Sequence, residues 1–201
     1  ACSSFLPHDN VLDLYRVRKR DAFAMIRSGV MGLVDVSPAA LNAKQRIQQQ
    51  AVRTGVTHVQ ANEIQTWLAG LEYPLHCFDF ETMMPAVPLF DGTHPYQQIP
   101  FQFSLHVQKR PGGPLRHCGF LADLKGGSHD PRKDFLDGLR KGLGRTGTIL
   151  AYNADFETRV LKACSESFPG YASWLKDSVL PRVVDLLKPF RSFDYYHPKQ
   201  M

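Results

Sequence analysis

The chain has 201 residues, 43% of them hydrophobic and 21% charged, enough apolar material to bury the core of one compact domain with an appendage. No apolar run approaches the roughly 20 residues that span a bilayer, and the start lacks the charged and apolar regions of a secretory leader, so a cytoplasmic location is the default expectation. The net charge of +5 leans toward a polyanionic partner, and Cys2, Cys77, Cys118 and Cys164 form no CxxC pair, which argues against a complete zinc site and a disulfide framework. Ala1 is not an initiator Met and the run to Met201 has no closing element, so the chain reads as a fragment that is incomplete at its C-terminus.

Residues 1–70 read as a helical linker segment. Arg16, Arg18, Lys19 and Arg20 read as a solvated helix start and are assigned no function. Asp21 to Arg27 follows as a helix that ends at Gly29. Ser37-Pro38 supplies an N-cap and a proline at the first helical position, with Gly55 as the stop, and Gln60 to Ala69 forms another helix. A boundary falls near Gly70.

Residues 71–201 change character. Leu75 to Phe80 reads as a strand, Pro100 to Val107 as a second and Arg116 to Leu121 as a third, joined as an antiparallel meander. Asp130-Pro131 opens a helix that presents Phe135, Leu136, Leu139 and Leu143 to the core and stops at Gly144. Thr148 to Tyr152 is a fourth strand leading directly into a helix, with Asn153 placed as its N-cap and Tyr152 and Phe156 assigned to the core. Three strands, helix, strand, helix is the front half of a ribonuclease H-like α/β fold with a mixed sheet.

Chemistry concentrates at two stations. Asp79 and Glu81 are two apart on the first strand and therefore share a face, where two carboxylates repel unless a proton or cation lies between them. Hard oxygen ligands suit Mg2+ or Mn2+, and two such ions about 3.5–4 Å apart serve in-line attack on phosphodiesters. At the second station Asp155 and Glu157 are about 200° apart on a helix, so only one can face the strand. Glu157, next to the inward Phe156, is the expected functional residue; Asp155 should point elsewhere. His76, His94, His106, His117 and His129 lack the i, i+4 pairing of a histidine-rich zinc site.

Phe78-Asp79-Phe80-Glu81-Thr82 resembles the first motif of the DEDD-type 3'-5' exonucleases, and Asn153-Ala154-Asp155-Phe156-Glu157 resembles their second, Asn-x-x-Phe-Asp, with Glu157 in place of the usual Asp. More closely, residues 71–201 resemble an uncharacterised bacterial domain family of the ribonuclease H-like group, through Tyr-Pro-Leu before the first strand, Pro-Tyr-Gln-Gln-Ile-Pro-Phe-Gln-Phe-Ser at the second, and Val-Asp-Leu-Leu at 184–187.

The resemblance implies a divalent-metal-dependent 3'-5' exonuclease in which Asp79, Glu81 and Glu157 are catalytic metal ligands. Asp185 takes the place of an Asp that supports the fold near the site and is kept among the metal candidates. Thr82, Met83 and Asn153 become the nucleic-acid-binding candidates, the first two lining the pocket for the terminal nucleotide. The fourth acid, with an adjacent His or Tyr, is expected beyond Met201. The implied partners are DNA or RNA and an upstream RecB-like nuclease domain of the same polypeptide, for which Cys2 would be the last ligand of a cysteine-bound cluster; no membrane is implied. The alternative is a noncatalytic nucleic-acid-binding or assembly module that keeps the fold and has lost the chemistry.

Overall fold

The structure, a computed structural model, describes residues 4–123 and 129–200. Cys2 lies outside the described residues. The chain divides into two compact units, 1–67 with 188–201, and 68–187.

In the first unit Asn10 caps a 3-10 turn at Val11–Asp13, and α1 (Lys19–Arg27) follows. A second helix, α2 (Ala43–Thr54), begins at Asn42 and not at Ser37: Pro38–Ala40 is only a 3-10 turn. Asn42 wins because Gln45 completes a capping box with it, the side chain of Asn42 accepting from the Gln45 N–H and that of Gln45 from the Asn42 N–H. Gly55 ends the helix in the left-handed conformation, as expected. A two-residue strand, β1 (His58–Val59), precedes α3 (Ala61–Ala69).

The segment after Leu187 belongs to this unit and not to the sheet unit, contrary to a single boundary near Gly70. Helix α7 (Lys188–Ser192) leads to β7 (Tyr195–Tyr196), which pairs antiparallel with β1. Phe193 and Tyr196 stack at 4.9 Å and bury themselves beside Ala51, with the Tyr15 ring edge-on to Phe193 at 4.8 Å. Aromatic burial of this kind anchors a short segment that has little helix or strand of its own.

The second unit is built on a five-stranded mixed sheet, in the order β4-β3-β2-β5-β6: β2 (Leu75–Met83), β3 (Ile99–Gln108), β4 (Leu115–Leu121), β5 (Ile149–Ala151) and β6 (Val183–Asp185). Strands β2, β3 and β4 form the antiparallel meander, and β5 and β6 run parallel to β2. This is the α/β arrangement anticipated from the element order.

Residues His76, Phe78 and Phe80 are buried on one face of β2. Their neighbours on the core side are Phe103 and Leu105 of β3 and Phe135, Leu136, Leu139 and Leu143 of α4 (Arg132–Leu143). The Phe80 and Phe135 rings meet edge to face at 5.0 Å. Helix α4 comes close to β3 because residue 142 is a glycine: a Cβ there would lie 2.6 Å from Leu105 Cδ2. The helix starts where Asp130 Oδ1 accepts the Arg132 N–H at 3.0 Å, and the same carboxylate pairs at 2.6 Å with the buried Arg132 guanidinium. After β5 come α5 (Asp155–Ser167) and the short α6 (Ala172–Trp174), before the chain returns along β6. Among the described residues no helix is long and apolar enough to cross a membrane.

Candidate functional site

Strand β2 carries Asp79 and Glu81 beyond its pairing with β5, β6 ends on Asp185, and β5 leads into α5, which carries Glu157. The acids therefore gather toward the C-terminal end of the parallel strands, where ligands meet open α/β sheets. The alternation of β2 leaves Asp79 and Glu81 exposed on the face opposite Phe78 and Phe80. Asp79 lies two residues past the last β2–β5 pair, Cys77 with Leu150, while Asp185 is itself paired with Ala151. The two carboxylates therefore come from nearly the same level of the sheet, on strands that flank β5. The antiparallel register shifts between Glu81 and Thr82, so Thr82 faces Pro100 and Met83 faces Ile99, both half-buried at the strand's end.

From the end of β5 the chain turns sharply into α5. Asn153 is not the N-cap: it sits in the left-handed conformation (φ 62°) one residue earlier, and Ala154 takes the cap position without a side-chain hydrogen bond. Asn tolerates this conformation better than most residues, which suits it to so tight a turn. Its backbone N–H donates to Asp185 Oδ1 at 2.9 Å, and the same oxygen accepts the Leu187 N–H, also at 2.9 Å.

On α5 the buried residues are Glu157, Val160, Leu161 and Cys164. That is the i, i+3, i+4, i+7 stripe of a core-facing helix, with a carboxylate at its first position. Asp155 is exposed on the other side, beside Arg159 and Lys162. The expected division between Asp155 and Glu157 follows from the helical period.

Glu157 is only 3% exposed, and its Oε2 has no hydrogen-bond partner. Burial pushes its carboxyl above the ordinary range, a contact with its own backbone N–H partly offsets this, and the nearby Asp79 and Asp185 raise it further. A buried carboxylate oxygen without a partner costs about 1–3 kcal/mol or more, so its retention calls for a proton or a cation. Asp79 and Asp185 thus both act electrostatically on Glu157, while Glu81 extends the strand face that carries Asp79. Among the described residues no group of three or more His, Cys, Asp or Glu side chains is arranged to hold a metal ion as it stands.

Two further assignments change. Asp185, which sequence reading placed mainly in a supporting role, is one of the two carboxylates acting on Glu157; the signal was its position at the end of a short apolar strand, but the pairing with Ala151 needed the fold. Tyr152, assigned to the core, is 65% exposed just beyond β5, whereas Phe156 does pack against the core.

The family model of a domain of unknown function, DUF2779, matches residues 76–201, more than half of the chain. The chain belongs to the DUF2779 family. The DUF2779 match begins inside β2 and contains Asp79, Glu81, Thr82, Met83, Asn153, Glu157 and Asp185. No curated protein and no solved structure matches the chain.

Proposed function

We propose that this DUF2779 chain is a divalent-metal-dependent nuclease of the DEDD 3'-5' exonuclease type, with Asp79, Glu81, Glu157 and Asp185 as the residues that would hold Mg2+ or Mn2+. The observation that carries the reading is the buried carboxylate of Glu157, whose Oε2 has no hydrogen-bond partner and which lies under the electrostatic influence of Asp79 and Asp185. An all-oxygen donor set of this charge fits a hard divalent cation.

When bound, such ions supply an activated water and stabilise the leaving oxygen of a phosphodiester. The chain's own residues prepare that chemistry. Glu157 is buried on the inward stripe of α5 with Val160, Leu161 and Cys164, which shields its carboxyl from water. Asp185 Oδ1 accepts from both the Asn153 and Leu187 N–H groups, which fixes the plane of its carboxylate beside the turn into α5. Asp79 and Glu81 stand on a strand held rigid by Phe78 and Phe80. Thr82, Met83 and Asn153 border the acids and are the residues proposed to receive the terminal nucleotide; the exposed Tyr152 ring is positioned to stack a base.

The second reading is a noncatalytic module for DNA or RNA, attached to an upstream RecB-like nuclease domain. It draws support from the acidic side chains not being grouped to hold an ion as they stand and from Glu157 standing where the exonuclease motif has Asp. Calorimetric titration of Mn2+ into the full chain separates the two. The nuclease reading expects saturable, weak binding that Glu157→Gln weakens at least tenfold. No saturable heat at millimolar Mn2+ would favour the module.

A further inference from the structure

The net charge of the chain is unevenly placed. The first unit, 1–67 with 188–201, contains eleven Lys and Arg against six Asp and Glu, and the sheet unit contains thirteen of each. The whole excess of +5 therefore belongs to the helical unit, and the sheet unit that carries the acidic site is neutral in net charge.

Within that unit several cations are engaged internally. Lys44 donates to the Arg191 carbonyl at 2.5 Å and lies over the Tyr15 and Phe193 rings; Arg46 donates to the Pro38 and Leu41 carbonyls; Arg53 bonds Gln50. Arg16, Arg18, Lys19 and Arg20 differ. All four are exposed within five residues, and among the described residues only Arg20 has an ion pair, with Asp21 at 3.4 Å. Arg18, Lys19 and Arg20 form the cap and first two positions of α1, where cations oppose the helix dipole, and Arg18 supplies no side-chain cap. Arg16 is held in the left-handed conformation (φ 51°) with its guanidinium 5.4 Å from the Tyr15 ring. Folding alone gives no reason for this concentration of like charge.

We propose that this cluster is a docking surface for the phosphate backbone of nucleic acid, acting independently of the acidic site. Three of the four side chains are arginines, whose planar fork matches phosphate oxygens. An anionic membrane is the weaker partner: a membrane-surface helix needs a free apolar face, and Ala22, Met25 and Ile26 of α1 are already packed in the core with Val11, Leu14 and Leu33.

The test is fluorescence anisotropy of the full chain with labelled single-stranded and duplex oligonucleotides in EDTA, so that no metal-dependent step contributes and the outcome is separate from that of the nuclease reading. The variant is Arg16→Gln/Arg18→Gln/Lys19→Gln/Arg20→Gln. A control removes the same charge from the sheet unit at Lys109, Arg110, Arg116 and Lys176. The cluster variant is expected to lose at least tenfold in affinity near 100 mM salt and to flatten the log–log salt slope by about 3, for roughly 0.7–0.9 per phosphate contact. The control is expected to lose less than threefold. The melting temperature of the cluster variant should hold or rise, since the cations oppose the helix dipole. If it falls, the charge-preserving Arg16→Lys/Arg18→Lys/Arg20→Lys variant, expected to stay within threefold of wild type, decides the matter. Equal losses in the cluster variant and the control would overturn the proposal. So would binding to phosphatidylserine vesicles with none to either oligonucleotide.

Discussion

The backbone N–H of Asn153 donates to Asp185 Oδ1 at 2.9 Å, so that a side chain from β6 holds the turn that carries α5 and Glu157. The Leu187 N–H bonds the same oxygen. Asp185→Ala should therefore cost about 2–3 kcal/mol in urea unfolding, the range for two charge-assisted bonds to backbone left unmade. Asp185→Asn keeps an acceptor in place and should cost less than about 1 kcal/mol. Equal losses for the two variants would show that the hydrogen bonds do not hold the turn.

In the metal-free protein Glu157 is a buried charge without a partner on one oxygen, further disfavoured by the charges of Asp79 and Asp185. Glu157→Gln should raise stability by about 1 kcal/mol, or about 2–4 °C in Tm for a chain of this size. The measurement is calorimetric melting at pH 7 in EDTA. A lower Tm would mean that Glu157 is held by favourable contacts and is not poised for a cation.

The pH dependence has a definite sign. The folded carboxyl of Glu157 titrates above its ordinary 4.5, so the penalty is absent below about 4.5 and grows as pH rises through the folded value. The stability gap between Glu157→Gln and wild type should be largest at pH 7–8 and close below pH 4.5. His76 works in the other direction. Burial lowers its pKa from 6.5, so stability is lost as the unfolded chain takes up that proton below about pH 6.5. Both proteins share this loss, and it cancels in the gap. A gap that widens on acidification would contradict the assignment.

Much of this arrangement is legible in the chain because it follows from local periods. Asp79 and Glu81 share a face by the period of two, and Glu157 rather than Asp155 turns inward because it is in phase with Val160, Leu161 and Cys164. The features that were not legible depend on distant partners. The strand at His58–Val59 exists only through pairing with Tyr195 and Tyr196, and Asp185 comes to act on Glu157 through the register of β6 with β5. Asn153 has the composition of an N-cap, but the turn from β5 into α5 requires a left-handed residue and takes it for that purpose. Ser37 reads as a helix start from its own residue type and the following proline, whereas the helix begins at Asn42, where Gln45 completes a capping box.

The connection into β5 is equally constrained. Gly147 lies at φ 84°, and a Cβ there would fall on the Pro74 backbone carbonyl just before β2. Gly147→Ala should destabilise by about 3 kcal/mol or more, as a backbone clash and an unfavourable φ combine. Urea unfolding checks this. A loss under about 1 kcal/mol would mean that the segments separate readily there.

The most direct test of the central claim is hydrolysis of 5'-end-labelled single-stranded DNA and RNA by the full-length polypeptide in Mg2+ or Mn2+, compared with EDTA and with Asp79→Asn. Expected is a ladder of products shortened from the 3' end in the wild type, absent in EDTA and absent in Asp79→Asn, while oligonucleotide binding and Tm stay near wild type. No hydrolysis of either substrate by the wild type, or hydrolysis that survives Asp79→Asn undiminished, would contradict it.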